Sequence, residues 1–301
     1  MRVVASALSD KGLQREGNED QYLINESLGL YVVCDGMGGH AAGEVAAERA
    51  IAFLVDQIAE RADALTKALE QPDGHVRVLK LVEEAVQQTS QQVHQHARSS
   101  PSYAGMGTTM TMLLVVGSKA IMAHVGDSRL YLRRGGAIHQ LSVDHTLANE
   151  MLLSGGVTKE QADQSQYRHV LTRSIGVHES VVVDTLLFDL LPGDRLLLCS
   201  DGLSNYFADP SVAAEFLAMP EIVNEPKSLI EFAKESGGAD NITAVIVEIV
   251  PESDAESIPD TPQRMEALGA SFLGRELSVS RLLHLLTTST VLRYDAGACL
   301  L

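Results

Sequence analysis

The chain has 301 residues, 45% of them apolar, and its 23 Lys and Arg against 40 Asp and Glu give a formal net charge of −17 at pH 7. That length buries a full core without disulfides or a structural metal, and that charge excludes nucleic-acid backbones and anionic membrane surfaces as natural partners. Three cysteines cannot all pair, no apolar run approaches a bilayer span, and the N-terminus lacks the apolar stretch and cleavage site of a leader, so a cytoplasmic protein is expected.

Apolar and β-branched runs predict strands at 3–7, 21–24 and 30–34. Two long helical patterns follow, from 41 to about 70 and from 75 to about 98, with Pro72-Asp73-Gly74 between them as a turn, so they should form an antiparallel pair. Strands are expected next at 109–116, 120–125 and 130–132, and Gly135-Gly136 marks a hairpin. Short helices at 147–153 and 159–164, strands at 181–188 and 196–199, helices at 210–217 and 227–235, and a strand at 244–250 complete the pattern. Hairpin-linked strands with helices gathered in blocks exclude a doubly wound parallel sheet, which alternates strand and helix at every crossover. The expected class is α+β, two facing antiparallel sheets each covered on its outer side by helices. Residues 251–263, PESDAESIPDTPQ, are acidic, hold three prolines and read as a linker, after which 264–301 turns apolar again.

Acidic residues stand where the apolar runs begin or end. Glu19 and Asp20 precede one strand, Asp35 ends another and opens DGMGG, Asp127 follows AIMAHVG, Asp201 follows DRLLLCS, and Asp240 precedes NITAVIVEI. A carboxylate beside a buried run costs desolvation unless it meets hydrogen-bond donors or a cation, and hard divalent cations take oxygen ligands from such rigid places. Any one of these acids reads as a turn or cap residue; their repetition points to a metal site. Gly36, Gly38 and Gly39 would let the backbone approach a ligand closely.

REGNED at 15–20, DGMGGHAAGE at 35–44, GMGTTM at 105–110, GDSRLY at 126–131, LTRSIG at 171–176, SDGL at 200–203 and DNITAV at 240–245 stand in the order of the motifs of bacterial type-2C, metal-dependent protein phosphatases, which residues 1–250 resemble. The resemblance implies a four-layer α-β-β-α sandwich of two antiparallel sheets flanked by helix pairs. It also implies a binuclear manganese or magnesium centre: Asp35 bridges both ions, the Gly36 carbonyl and Glu19 serve one, Asp201 and Asp240 serve the other, Asp20 orients bound waters, and Asp127 with Asp201 holds a weaker third ion. Arg15 matches the phosphate clamp, a role its planar guanidinium suits. The implied activity is hydrolysis of phosphoserine and phosphothreonine in proteins, opposing Ser/Thr kinases, by an activated water and with no covalent enzyme intermediate. The complete ligand set disfavours a silent phosphoprotein-binding module, and the acidity disfavours a nuclease.

Many eukaryotic relatives carry His directly after the Asp-Gly pair as the candidate acid for the leaving group, where this chain has Met37. His40, in the glycine-rich turn, and a metal-bound water are both open as donors, and His40 also reads as an ordinary residue at a helix start. The polar segment 144–176 corresponds to a flap beside the family's site; His145, His169 and Arg173 within it have no spacing that assigns them roles. In the appendage, Leu277, Leu282, Leu285 and Leu286 have helical spacing, and the run to Tyr294 and Gly297 is similar to the opening of a cyclic-nucleotide-binding domain. A helix docked on the catalytic domain and the start of a severed regulatory domain are both compatible with it.

Overall fold

The computed structural model describes residues 1–38, 41–251, 265, 268–269, 271 and 277–288. Most of the linker at 251–263, His40, Cys299 and the Tyr294–Gly297 motif lie outside the described residues.

Two antiparallel sheets carry the fold. One has the order β1 (Arg2–Asp10), β11 (Ile242–Val250), β10 (Arg195–Cys199), β7 (Arg129–Arg134), β8 (Ala137–Gln140). The other runs β2 (Asp20–Asn25), β3 (Leu30–Met37), β5 (Met110–Val116), β6 (Lys119–Val125), β9 (Asp184–Asp189), with the two-residue β4 (Gly107–Thr108) on β3. The alternation of side chains builds the layers. In β3, Leu30, Val32 and Cys34 face the helices α1 (Ala41–Leu69) and α2 (Gly74–Ala97), while Tyr31 and Val33 face the other sheet. In β10, Leu196 and Leu198 enter the layer between the sheets, while Leu197 and Cys199 meet the helices α6 (Pro210–Ala218) and α7 (Lys227–Glu235). The result is the expected four-layer α-β-β-α sandwich. Central strands buried on both faces explain why their runs read as nearly continuous apolar stretches.

The helices follow from spacing and caps. Val78, Val82, Ala85, Val86, Thr89 and Val93 form the buried stripe of α2. Alanines 46, 47 and 50 keep α1 close to the sheet, and the α1–α2 turn is tight enough that a Cβ at Gly74 would lie 1.6 Å from the Ala68 carbonyl oxygen. Asp209 caps α6 by accepting from the Ser211 N–H at 2.7 Å, with Pro210 at the first helical position. Between β8 and β9 lie the short helices α3 (Leu147–Leu153) and α4 (Lys159–Asp163); α5 (Asp201–Ser204) directly follows β10.

Three local expectations are corrected. The strand expected at 181–188 begins at Asp184, because the Gln87 side chain of α2 takes the N–H and C=O of Val181 out of the ladder. The hairpin at Gly135-Gly136 closes on the short β8, which its mixed sequence AIHQ did not announce. In the appendage, α8 (Val279–Thr288) buries Leu282, Leu283 and Leu286 and leaves Leu285 36% exposed, one position round from the expected face. Leu283 and Val279 pack into the layer between the sheets, so this helix rests on the β9 side of the sandwich. No described helix is long and apolar enough to cross a membrane.

Candidate metal centre

Strand register gathers the acids. β2 and β3 pair so that Asp20 stands opposite Asp35. The backbone of Asp35 is fixed on both sides: its N–H donates to Thr109 Oγ1 at 2.9 Å, and its carbonyl accepts from the Thr109 N–H at 2.9 Å and Thr108 Oγ1 at 2.8 Å. On the other sheet β10 delivers Ser200 and Asp201, and Asp240-Asn241 lead into β11. Asp20 joins the sheets, its Oδ2 accepting from Ser200 Oγ and Thr243 Oγ1, each at 2.7 Å. Asn241 ties the N-terminal segment to the same place. Its Oδ1 accepts from the Glu19 N–H at 2.8 Å, and its Nδ2 donates to the carbonyls of Gly17 at 2.9 Å and Lys11 at 3.0 Å.

Two glycines are required by this crowding. A Cβ on Gly36 would lie 2.2 Å from the Gly43 carbonyl oxygen and 2.7 Å from that of Glu19, and one on Gly43 would lie 2.0 Å from Glu19 Oε2. The Glu19 carboxylate therefore rests against the first turns of α1, beside the Gly36 backbone. Asp127 sits in the turn between β6 and β7.

A cavity of about 1070 Å³ is lined by Arg15, Glu19, Asp35, Gly36, Asp127, Asp201 and Asp240. Of the expected metal ligands and phosphate clamp, Asp20 is the one off its wall, buried behind it at 2% exposure, and His145 and Arg173 also lie away from the cavity. Met37 also lines the cavity; His40 lies outside the described residues.

The electrostatics record carboxylates crowded without enough counter-charge. Burial, then the charges of Asp20, Asp201, Asp127 and Asp240, push the Asp35 pKa well above the ordinary carboxylate range. Burial and Asp201 do the same for Asp127. Asp20 is pushed up to about 7 by burial, against the opposing Ser200 and Thr243 hydroxyls. For Asp201, burial works upward but hydrogen bonds from His169 and Asn205 outweigh it, and its pKa is lowered. Arg15 Nη2 donates to Asp240 Oδ2 at 2.6 Å. Partial burial disfavours its charge, and the neighbouring carboxylates more than offset that, raising its pKa.

Sequence reasoning missed several contributors. His169 Nδ1 is 3.5 Å from Asp201 Oδ2, and Asn205 Nδ2 donates to the same oxygen at 3.1 Å. Asn241, Ser200, Thr243 and Thr109 orient the acids. All but Asn205 and His169 lie inside the quoted motifs, so the signal was present without an assigned role. Arg173 and His145, unassigned in sequence, meet Asp184: Arg173 Nη1 is 2.8 Å from Asp184 Oδ1 and His145 Nε2 3.2 Å from Oδ2.

The donor set fits hard divalent cations. It is composed of carboxylate oxygens and backbone, and Asp20 Oδ1 and Asp201 Oδ1 are buried with no hydrogen-bond partner. Among the described residues no group of three or more His, Cys, Asp or Glu side chains is drawn together closely enough to hold an ion as it stands. Arg15 on Asp240 and His169 beside Asp201 supply positive or polar partners instead.

Comparison with known proteins agrees with this geometry. A family profile described as Protein phosphatase 2C matches residues 14–232. Protein phosphatase PhpP of Streptococcus pneumoniae is 34% identical over 255 residues, covering 83% of this chain and 99% of PhpP. Serine/threonine protein phosphatase PstP of Mycobacterium tuberculosis is 36% identical over 255 residues, 84% of this chain and 46% of PstP. The crystal structure of the M. tuberculosis serine/threonine phosphatase PstP/Ppp superposes with a TM-score of 0.72 at 34% identity, covering 83% of this chain and 99% of that one. The PstP catalytic domain in complex with two manganese ions gives a TM-score of 0.68 at 34% identity, covering 83% and 99%. With seven motifs in order, the sandwich that aligns them and a profile spanning most of its length, the chain belongs to the protein phosphatase 2C family.

Proposed function

We propose that this protein is a metal-dependent phosphatase that hydrolyses phosphoserine and phosphothreonine in proteins. The observation that carries the reading is the convergence of Arg15 with Glu19, Asp35, Asp127, Asp201 and Asp240 on one open cavity. Asp35 would bridge two manganese or magnesium ions, with Glu19 and the Gly36 carbonyl on one side and Asp201 and Asp240 on the other. Asp127 with Asp201 would hold a third. Such ions supply a water acidic enough to attack phosphorus near neutral pH and neutralise the phosphoryl oxygens.

The chain's own groups do the rest. Arg15, half exposed at the cavity mouth, is placed to exchange Asp240 for a phosphoryl group, which its guanidinium can hold by two parallel hydrogen bonds. Ser200, Thr243 and Asn205 fix the orientation of Asp20 and Asp201, so the carboxylates need little rearrangement during reaction. Asp20, behind the wall, would orient water. Among the described residues a thiolate nucleophile finds no support: Cys34 and Cys199 are fully buried and away from the cavity, and burial raises both thiol pKa values, that of Cys199 to about 12. Direct attack by water, without a covalent enzyme intermediate, is the consistent route.

The partners follow from the chemistry: phosphoproteins, among them Ser/Thr kinases and their substrates, in the cytoplasm. Residues 1–250 form the catalytic domain on this reading, with 251–263 as linker and 264–301 as an appendage whose α8 docks beside β9. The test is phosphate release from matched phosphothreonine, phosphoserine and phosphotyrosine peptides with manganese. Release from the first two is expected; release confined to phosphotyrosine would overturn the reading.

A further inference from the structure

His145 is 3% exposed and grips one residue from two sides. Its own N–H donates to the Gly126 carbonyl at 2.7 Å, and its ring Nδ1 accepts from the Gly126 N–H at 3.1 Å. Gly126 precedes Asp127 and has no latitude of its own: its φ is +112°, and a Cβ there would lie 2.6 Å from Thr109. Thr109 in turn accepts from the Asp35 N–H and pairs with Ser128 Oγ at 2.7 Å.

The far side of the ring is equally constrained. Nε2 lies 3.2 Å from Asp184 Oδ2 and 3.1 Å from Arg173 Nη1, while Arg173 itself donates to Asp184 Oδ1 at 2.8 Å. A proton on Nδ1 would set two donors face to face at Gly126, so the neutral ring accepts there, carries its proton on Nε2 and gives it to Asp184, while Arg173 Nη1, a donor only, spends its hydrogen on Asp184 Oδ1 and not on the ring. The carbonyl of His145 accepts from the Thr172 N–H at 2.9 Å, and Thr146 bridges Leu171, so the same residue roots both ends of the 146–171 segment that covers the cavity.

We propose that His145, held by Asp184, is a positioning residue that sets Asp127 for cation binding and ties it to the root of the covering segment. This rests on the reading of Asp127 as a ligand given above. The reaction is unchanged by it; what it adds is a second layer of the site, built from three residues that lie far apart in sequence. Groups that hydrogen-bond a metal ligand are commonly worth about 10–100-fold in metal affinity, and His145 acts on Asp127 through the backbone of the preceding Gly126.

The test uses manganese titration by calorimetry and amide exchange at Gly126 in the metal-free protein, so neither readout depends on turnover. His145→Leu, which removes the ring acceptor, should expose the Gly126 amide to faster exchange. It should also weaken the Asp127-dependent ion about 10–100-fold while the tighter sites keep their affinity. His145→Asn, whose side-chain oxygen replaces Nδ1 as acceptor, should restore most of both. Asp127→Asn is the reference. If it leaves manganese binding unchanged, the ligand reading fails and the inference falls with it. If Asp127→Asn loses an ion and His145→Leu does not weaken it, the inference alone fails. Equal loss in His145→Leu and His145→Asn would mean that His145 only fills space and would also overturn it. Should His145→Leu not fold, Asp184→Ala at the sheet edge is read in its place: weaker binding of that ion with faster Gly126 exchange supports the inference, and wild-type values for both refute it.

Discussion

Replacing Asp20 by Asn should stabilise the metal-free protein at and above neutral pH while reducing what manganese adds to stability. Asp20 is buried, and burial with the charges of Asp201 and Asp240 pushes its pKa from 3.8 up to about 7. A folded pKa above the unfolded one contributes stability that is complete below about 3.8 and is lost as pH rises through about 7. At about 1.36 kcal/mol for each tenfold change in proton affinity, the interval from 3.8 to about 7 corresponds to on the order of 4 kcal/mol. Asn keeps an acceptor for Ser200 and Thr243 but has no charge to bury. Urea unfolding in chelator at about pH 5 and about pH 8 measures the effect. Between about pH 5 and about pH 8 the variant should gain on the wild type by roughly 2.7 kcal/mol, the part of that interval lying above pH 5, and saturating manganese should shrink or reverse the gap, because the cations supply the missing counter-charge. Parallel pH profiles for the two proteins, within about 0.5 kcal/mol, would refute the argument that Asp20 is held charged at a cost.

His124 supplies a slope of opposite sign. Burial pushes its pKa down to about 4, so the stability it contributes is present above about 6.5 and is lost as pH falls towards about 4. His124→Gln should flatten that acid limb in thermal unfolding, and an unchanged limb would contradict it. Arg134 and Asp194 form a buried pair, with side chains 3% and 1% exposed and Nη2 to Oδ2 at 2.6 Å, far from the cavity. Asp194→Ala should cost about 3–5 kcal/mol in denaturant unfolding and leave the rate per folded molecule unchanged. Gly36→Ala drives a methyl into the Gly43 and Glu19 carbonyls, so calorimetry should find manganese binding lost or sharply weakened in a protein that still shows the wild-type circular dichroism.

Much of the site was legible because β-strands advertise their ends. Asp35, Asp127, Asp201 and Asp240 each abut a run of residues that must be buried, and the register that sets Asp20 against Asp35 follows from the short hairpin between β2 and β3. The layers were legible for the same reason: inner strands read as continuous apolar runs, and helices came in blocks. What escaped was set by contacts that leave no periodic trace. Gln87, on a helix, decides where β9 starts, and a four-residue strand of mixed sequence such as β8 has too few side chains to show alternation. His145 looked like one polar residue among many, because its meaning comes from the backbone of Gly126 and from Asp184, neither near it in sequence. The apolar spacing of the appendage foretold a helix, but packing against the β9 side selected a face centred on Leu283 in place of Leu285.

The central claim is that Asp35 organises the cations on which hydrolysis depends. Its most direct test is the rate of phosphate release from a phosphothreonine peptide across a manganese titration, in the wild type, in the wild type with chelator, and in Asp35→Asn. The account predicts activity that rises with manganese, disappears with chelator and is absent or nearly so in Asp35→Asn at every manganese concentration, although that variant remains folded. Activity that survives chelation, or an Asn variant that matches the wild type, would contradict it.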